Sequence, residues 1–285
     1  MPRNTKLWRS LAMTVAIRNW RQITPVVSHH TAIVYAYFGW EGQEGKKWEQ
    51  APLRGFQALT LHIIQPGKSG DYHIHFDREQ IYYFTQGSGK MNVDDKLYNV
   101  KKGDVLCVPI GSYHQMINDT DDWLAHLIMN GRVVSPEEQE VNKKKIAAKE
   151  FKNVIAHRNW LDSDPGVSHG AALLWSVFGP LGQEGKTYNE APATGVKKIT
   201  LHRLQPGLQT GTHDHADMEQ VYYFTSGKGK MIVGNETIPV RDGDAVYGPA
   251  KVQHGLINDS DDWLEHLIIS AEVGKPIHPK GKIGG

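Results

Sequence analysis

The chain has a single cysteine, almost no net charge and no long hydrophobic run. Cys107 stands alone among 285 residues, so no intrachain disulfide can form and cysteine-built zinc sites are excluded. Lys and Arg number 32 against 31 Asp and Glu, a formal net charge of +1. That balance offers no electrostatic case for nucleic acid or for an anionic membrane. No apolar stretch is long enough to span a bilayer. At the N-terminus Arg3, Lys6 and Arg9 precede the apolar stretch Leu11 to Ile17. That stretch is short, holds Thr14 and stops at Arg18, so it is read as the start of a cytoplasmic protein rather than a signal peptide. Glycine, by contrast, is frequent, at 29 residues, which favours a turn-rich all-β chain.

The length suits two modest domains or one larger one, and the chain decides between them by repeating itself. Residues 18–128 align with 158–268 without a gap, and 53 of the 111 aligned positions are identical. Each copy opens on Arg-Asn-Trp (18–20, 158–160) and ends on Asp-Asp-Trp-Leu-x-His-Leu-Ile (121–128, 261–268). A period of 140 residues is too long for a solenoid unit, so the expectation is two tandem domains, 18–130 and 158–272. Between them, residues 131–157 read as a helical linker. Ser135 is an N-cap, Pro136 suits the first helical position, Glu138 completes a capping box, and charged residues follow through Lys149. The stretch Gly274 to Gly285 reads as an extended or disordered tail.

Within each copy the periodicity is that of strands. Residues 57–64 alternate, with Leu59, Leu61 and Ile63 on one face and Ala58, Thr60, His62 and Ile64 on the other. Gln80 to Thr85 is β-branched and aromatic and ends at Gly87. Asp94-Asp95 and Asn235-Glu236 read as hairpin tips, and Gly103-Asp104 and Gly243-Asp244 as further turns. Short strands with frequent turns predict a sandwich or barrel.

Set into this β pattern is a repeated array of metal-ligand residue types. His73, His75, Gln80 and His114 recur as His213, His215, Gln220 and His254 with identical spacing. Two histidines two apart on an extended segment point to one face. Other strands can then add an amide and a third imidazole. All these donors are neutral, so a bound divalent ion keeps its charge and acts as a stronger Lewis acid than it would beside a carboxylate. Four protein ligands leave positions open on a five- or six-coordinate ion.

The same residues resemble the cupin superfamily. Its first motif reads Gly, five residues, His-x-His, three or four residues, Glu, six residues, Gly; the chain has Gly67, His73, His75, Gln80 and Gly87, and again Gly207, His213, His215, Gln220 and Gly227. Gly103, Pro109, Gly111, His114 and Asn118 match the second motif; so do Gly243, Pro249, His254 and Asn258, with Lys251 in place of one glycine. The resemblance covers nearly the whole chain. It implies two tandem cupin barrels, double-stranded β-helices of jelly-roll type, with two divalent transition metal ions per chain drawn from Zn, Ni, Fe or Mn. Where the motif carries a carboxylate this chain has Gln80 and Gln220, six residues before the glycine, with Glu79 and Glu219 adjacent. Strand alternation lets only one of each pair face the barrel. The spacing favours the glutamines, and some cupins that do non-redox chemistry on sugar acids or polyketides use glutamine there.

Other residues carry two readings each. Tyr82 and Tyr222 share the inward face of the glutamines and are candidate proton donors or shuttles, with a core aromatic as the alternative. His62 and His202, on the preceding strand, are candidate catalytic groups or satisfied core histidines, and His126 and His266 are weighed the same way. His29 and His169 read as surface or interdomain contacts, Cys107 as a buried small hydrophobe, and Trp123 and Trp263 as core or rim packing. The Gly-Gln-Glu-Gly-Lys segments (42–46, 182–186) read as turns or interdomain contacts rather than a lid. The expected function is a metal-dependent enzyme acting on a small-molecule substrate by lyase, isomerase or cyclase chemistry, as a monomer or homodimer, with no nucleic-acid or membrane partner. An Fe(II) dioxygenase and a non-catalytic metabolite-binding module are the alternatives.

Overall fold

The computed structural model describes residues 15–131, 133–148, 150 and 154–274. Most of the N-terminal apolar stretch and all of the tail beyond Gly274 lie outside the described residues. What is described is nearly all β, as the periodicity predicts. Each repeat is two antiparallel sheets facing one another. In the first, a seven-stranded sheet runs in the order 156–159, 104–108, 80–86, 124–130, 58–64, 32–38, 26–28, opposite a four-stranded sheet of 73–74, 113–117, 88–93 and 96–101. The second repeat has the matching seven-stranded sheet, 17–19, 244–248, 218–226, 264–272, 198–204, 172–178, 166–168, opposite strands 228–233, 236–241 and 254–257. The first hairpin tip is Asp94-Asp95, both at positive φ. The second is Gly234-Asn235 rather than Asn235-Glu236, because Glu236 already pairs with Val233.

The outermost strand of each large sheet comes from the other repeat. Ile17–Asn19 pairs with Asp244–Val246, and Ala156–Asn159 pairs with Asp104–Cys107. This exchange explains the repeated Arg-Asn-Trp. Asn19 Nδ2 donates to Asp244 Oδ1 at 2.7 Å and Asn159 Nδ2 to Asp104 Oδ1 at 2.6 Å. The rings of Trp20 and Trp160 lie against Gly243 and Gly103, where a Cβ would come within 2.7 and 2.9 Å of them.

The central strands of the large sheets are buried on both faces, so they are apolar almost throughout. Alternation still operates, but it chooses between two interiors. Ile81, Tyr83, Leu59, Leu61 and Leu127 join a core shared with Val221, Tyr223, Leu201 and Leu267 of the other repeat. Tyr82, Phe84, Ile64 and Ile128 pack inside the first barrel, and Tyr222, Phe224, Leu204 and Ile268 inside the second. Cys107 is buried in the shared core, where burial pushes its thiol well above the usual range.

The helix Pro136–Ala147 has the capping box read from the sequence: Ser135 Oγ accepts from Glu138 N at 3.2 Å, and Glu138 Oε2 accepts from Ser135 N at 2.9 Å. Among the described residues no helix is long and apolar enough to cross a membrane.

Candidate metal centres

Cross-strand pairing assembles each histidine triad. His73 lies directly opposite His114 in the small sheet, and His213 opposite His254. His75 follows His73 on the same face. In the first barrel the ring centroids are 5.0 Å apart for His73–His75, 4.3 Å for His73–His114 and 5.4 Å for His75–His114. The second barrel repeats this at 5.0, 4.5 and 5.4 Å. In each triad one ring nitrogen per histidine lies within 4.8 Å of the other two.

The residues present fit a metal ion. His73 Nε2, His75 Nε2 and His114 Nε2 are buried and have no hydrogen-bond partner. A buried polar atom without a partner costs about 1–3 kcal/mol, and three converging on one point are explained by a shared ion. The opposite nitrogens are held from behind: His73 Nδ1 donates to the Asp71 carbonyl at 3.1 Å and His114 Nδ1 to the Ser112 carbonyl at 3.0 Å. That arrangement fixes the tautomer with Nε2 free to ligate. In the second barrel the partnerless nitrogens are His213 Nδ1, His215 Nε2 and His254 Nε2, and His254 Nδ1 donates to the Val252 carbonyl at 2.9 Å. Burial holds His75 and His114 down to about 3 and His254 down to about 4. They are neutral at pH 7, as ligands must be.

The glutamine and its neighbouring glutamate face opposite ways. Gln80 lines the cavity beside His73 and His114. Its Oε1 accepts from Tyr82 Oη at 2.8 Å, and its Nε2 donates to Asn130 Oδ1 at 2.9 Å. Gln220 Oε1 likewise accepts from Tyr222 Oη at 2.8 Å. Glu79 instead reaches across to the second repeat, accepting from Thr194 N at 3.0 Å, Thr194 Oγ1 at 2.6 Å and Gly195 N at 2.6 Å. Glu219 does the reverse, accepting from Arg54 N at 2.8 Å, Gly55 N at 2.6 Å and Tyr247 Oη at 2.9 Å. The carboxylates are interdomain pins, and burial pushes the carboxyl of Glu219 up.

The inner wall is aromatic and neutral. Burial raises the phenols of Tyr82 and Tyr222, so each keeps its proton and aims it at a glutamine oxygen. His62 lies opposite His126 on the paired strand, with rings 5.5 Å apart, and His202 opposite His266 at 5.3 Å. His126 Nδ1 and both nitrogens of His266 are buried without partners, whereas His202 Nε2 lies 2.9 Å from Thr200 Oγ1. These four imidazoles are held neutral by burial, His126 and His202 down to about 3. The first-barrel cavity is small, about 30 Å³, room for roughly one water. Among the described residues lining it, Asp71 is the one charged side chain.

Of the two readings of His29 and His169, the surface one fits, His169 being exposed and His29 half-buried, but both also meet the triads. His29 stacks on His73 at 4.6 Å and lines the cavity, and His169 stacks on His213 at 4.3 Å. Their recurrence at the 140-residue offset was the available signal, but the hairpin turns carrying them meet the triads only in the folded barrel. Trp123 stays at the rim, half exposed, and Arg203 lies over the Trp263 ring.

Comparison with known proteins follows the same outline. The cupin domain family matches residues 60–129 and again 200–270. An uncharacterized protein of Methanocaldococcus jannaschii is 37% identical over 77 residues, 27% of this chain and 62% of that protein. Acireductone dioxygenase 4 of Oryza sativa subsp. japonica is 35% identical over 86 residues, 25% of this chain and 46% of the enzyme. The chain therefore spans less than two thirds of either relative. A variant of Bacillus subtilis oxalate decarboxylase superposes with a TM-score of 0.65 at 15% identity, covering 91% of this chain and 78% of that one; at that identity the likeness concerns the fold. With the motif present twice, the barrels formed and the triads assembled in both, the chain belongs to the cupin superfamily as a bicupin.

Proposed function

We propose that the chain is a metal-dependent enzyme acting on a small oxygenated organic molecule, of sugar-acid or polyketide-like kind, by lyase, isomerase or cyclase chemistry. The observation that carries this reading is the donor set: three neutral imidazoles with converging, partnerless nitrogens and a glutamine, not a carboxylate, in the fourth position. His73, His75, His114 and Gln80 would hold one ion, and His213, His215, His254 and Gln220 the other. Such an ion supplies Lewis-acid polarisation of a carbonyl or hydroxyl oxygen. The remaining work falls to the chain. The apolar residues Ile64, Met116 and Ile128 line the first cavity and lower the polarity around the triad. Tyr82 keeps a proton next to the amide of Gln80, and His62 with His126 places neutral, weakly basic imidazoles in the cavity wall, suited to hydrogen-bonding a substrate oxygen. With room for roughly one water beside the triad, the cavity would take only the oxygen-bearing end of such a substrate.

The test is turnover under anaerobic conditions with a redox-inert ion such as Zn(II). Retained turnover supports the reading; strict dependence on oxygen and iron would overturn it. That second outcome is the dioxygenase reading. The likeness to acireductone dioxygenase over part of the chain favours it, and oxygen uptake on substrate addition would identify it.

A further inference from the structure

The two triads share their ligands but not their surroundings. His73 Nδ1 is tied to the Asp71 carbonyl, while His213 Nδ1 has no partner. The third histidine is anchored alike in both barrels, so among the histidines the difference in anchoring lies in the His-x-His loop. In the first barrel the Asp71 carboxylate lies 3.6 Å from His29 Nδ1 and 2.8 Å from His30 Nε2, and His29 in turn stacks on His73. The second barrel has Gly211 and Gly170 at the positions of Asp71 and His30, so His169 stacks on His213 without that carboxylate. The linker helix also holds the first loop, Asn142 Nδ2 donating to the Phe76 carbonyl at 3.1 Å. The corresponding Ala216 is exposed.

We propose that the two sites differ in metal affinity, the first being the tighter, and that Asp71 and Asn142 are positioning residues responsible for the difference. The inference rests on the metal reading of the triads. A ligand already held in its binding tautomer and orientation loses less freedom when the ion arrives, and outer partners of this kind are worth about 10–100-fold in affinity. Both triads have an aspartate nearby, Asp71 at the first and Asp214 at the second, so the difference lies in anchoring: the Asp71 carboxylate acts through His29, which it holds against His73.

The experiment uses single-site proteins. His254→Ala leaves only the first triad intact and His114→Ala only the second, and Zn(II) affinity of each is measured against a competing chelator. The expected result is tighter binding by the His254→Ala protein, by about 10–100-fold. Asp71→Gly or Asn142→Ala in that background then weakens Zn(II) without lowering the melting temperature of the metal-free protein, a pattern that mere unfolding does not produce. Equal affinities, or tighter binding at the second site, would overturn the inference while leaving the metal reading intact. Failure of Zn(II), Mn(II) and Ni(II) to bind either site would overturn both. Native mass spectrometry of the unaltered protein at one Zn(II) per chain, followed by anomalous diffraction, checks the same point without substitutions: the ion is expected at His73, His75 and His114, and an even split contradicts the proposal.

Discussion

Two neighbouring exchanges, Glu79→Gln and Gln80→Glu, separate the two jobs that one strand performs. Glu79 is 3% exposed and takes hydrogen bonds from Thr194 N, Thr194 Oγ1 and Gly195 N of the other repeat. Converting one of its oxygens to an amide NH2 removes an acceptor and sets donor against donor. A buried bond to a charged group contributes about 1.5–3 kcal/mol and an orphaned partner costs about 1–3 kcal/mol. The expected loss is therefore about 2–4 kcal/mol, or roughly 4–10 °C in melting temperature for a chain of this size. Metal affinity stays where it was. Gln80→Glu keeps the shape of the side chain and its bond from Tyr82, but places a charge at the triad. Even at an effective dielectric constant of about 20, a carboxylate some 4 Å from a divalent ion gains several kcal/mol before its own desolvation, so Zn(II) binding should tighten by at least about 10-fold, equivalent to 1.4 kcal/mol. Calorimetric melting and chelator competition read the two effects separately. If Glu79→Gln loses metal and keeps its melting temperature, the facing of this strand has been assigned the wrong way round.

Three further outcomes follow from the same geometry. The buried imidazoles have folded pKa values below the unfolded value of about 6.5, at about 3 for His75, His114, His126 and His202 and about 4 for His254. The unfolded chain thus binds more protons between those limits, and stability falls with falling pH by up to about 1.4 kcal/mol per unit per imidazole. Metal-free protein should unfold as pH drops from 6.5 towards 4, and saturating Zn(II) should move the transition to lower pH; a melting temperature flat over that range would refute the burial argument. Gly111 (φ +83°) and Lys251 (φ +64°) occupy the same left-handed turn, with Gly111 N donating to the His75 carbonyl and Lys251 N to that of His215. Lys251→Gly should therefore stabilise by about 0.5–1 kcal/mol and Gly111→Ala destabilise by about 1 kcal/mol or more, measured by urea unfolding; the opposite signs would contradict the strain assignment. Tyr82→Phe should lower turnover by about 100-fold or more if the phenol moves a proton, with a stability loss of only about 1 kcal/mol. An unchanged rate would reduce Tyr82 to a packing residue.

Much of the site was legible because it is local. His73 and His75 are two residues apart on an extended segment, so their shared face follows from strand geometry alone, and register with Gly87 selected Gln80 over Glu79. Duplication supplied an internal control, since each feature could be checked 140 residues on. What escaped was non-local. Arg-Asn-Trp was visible as a repeat, yet its purpose was hidden because its partners, Asp104 and Asp244 with their glycines, lie in the opposite repeat. Glu79 and Glu219 looked like spare ligands for the same reason. The contact of His29 and His169 with the triads was hidden because nothing along the chain says that their hairpin turns lie over His73 and His213. The continuous run Ile81-Tyr82-Tyr83-Phe84 did not reveal that its two faces belong to two different cores.

The central claim is that each barrel holds a metal ion on its three histidines and glutamine. Anomalous diffraction from crystals grown with saturating Zn(II) tests it most directly. The account predicts two peaks per chain, one among His73, His75 and His114 with Gln80 Oε1 turned towards it, the other among His213, His215 and His254 with Gln220 Oε1. Metal-saturated crystals with no density at either triad, or with ions bound at Glu79 and Glu219 instead, would contradict it.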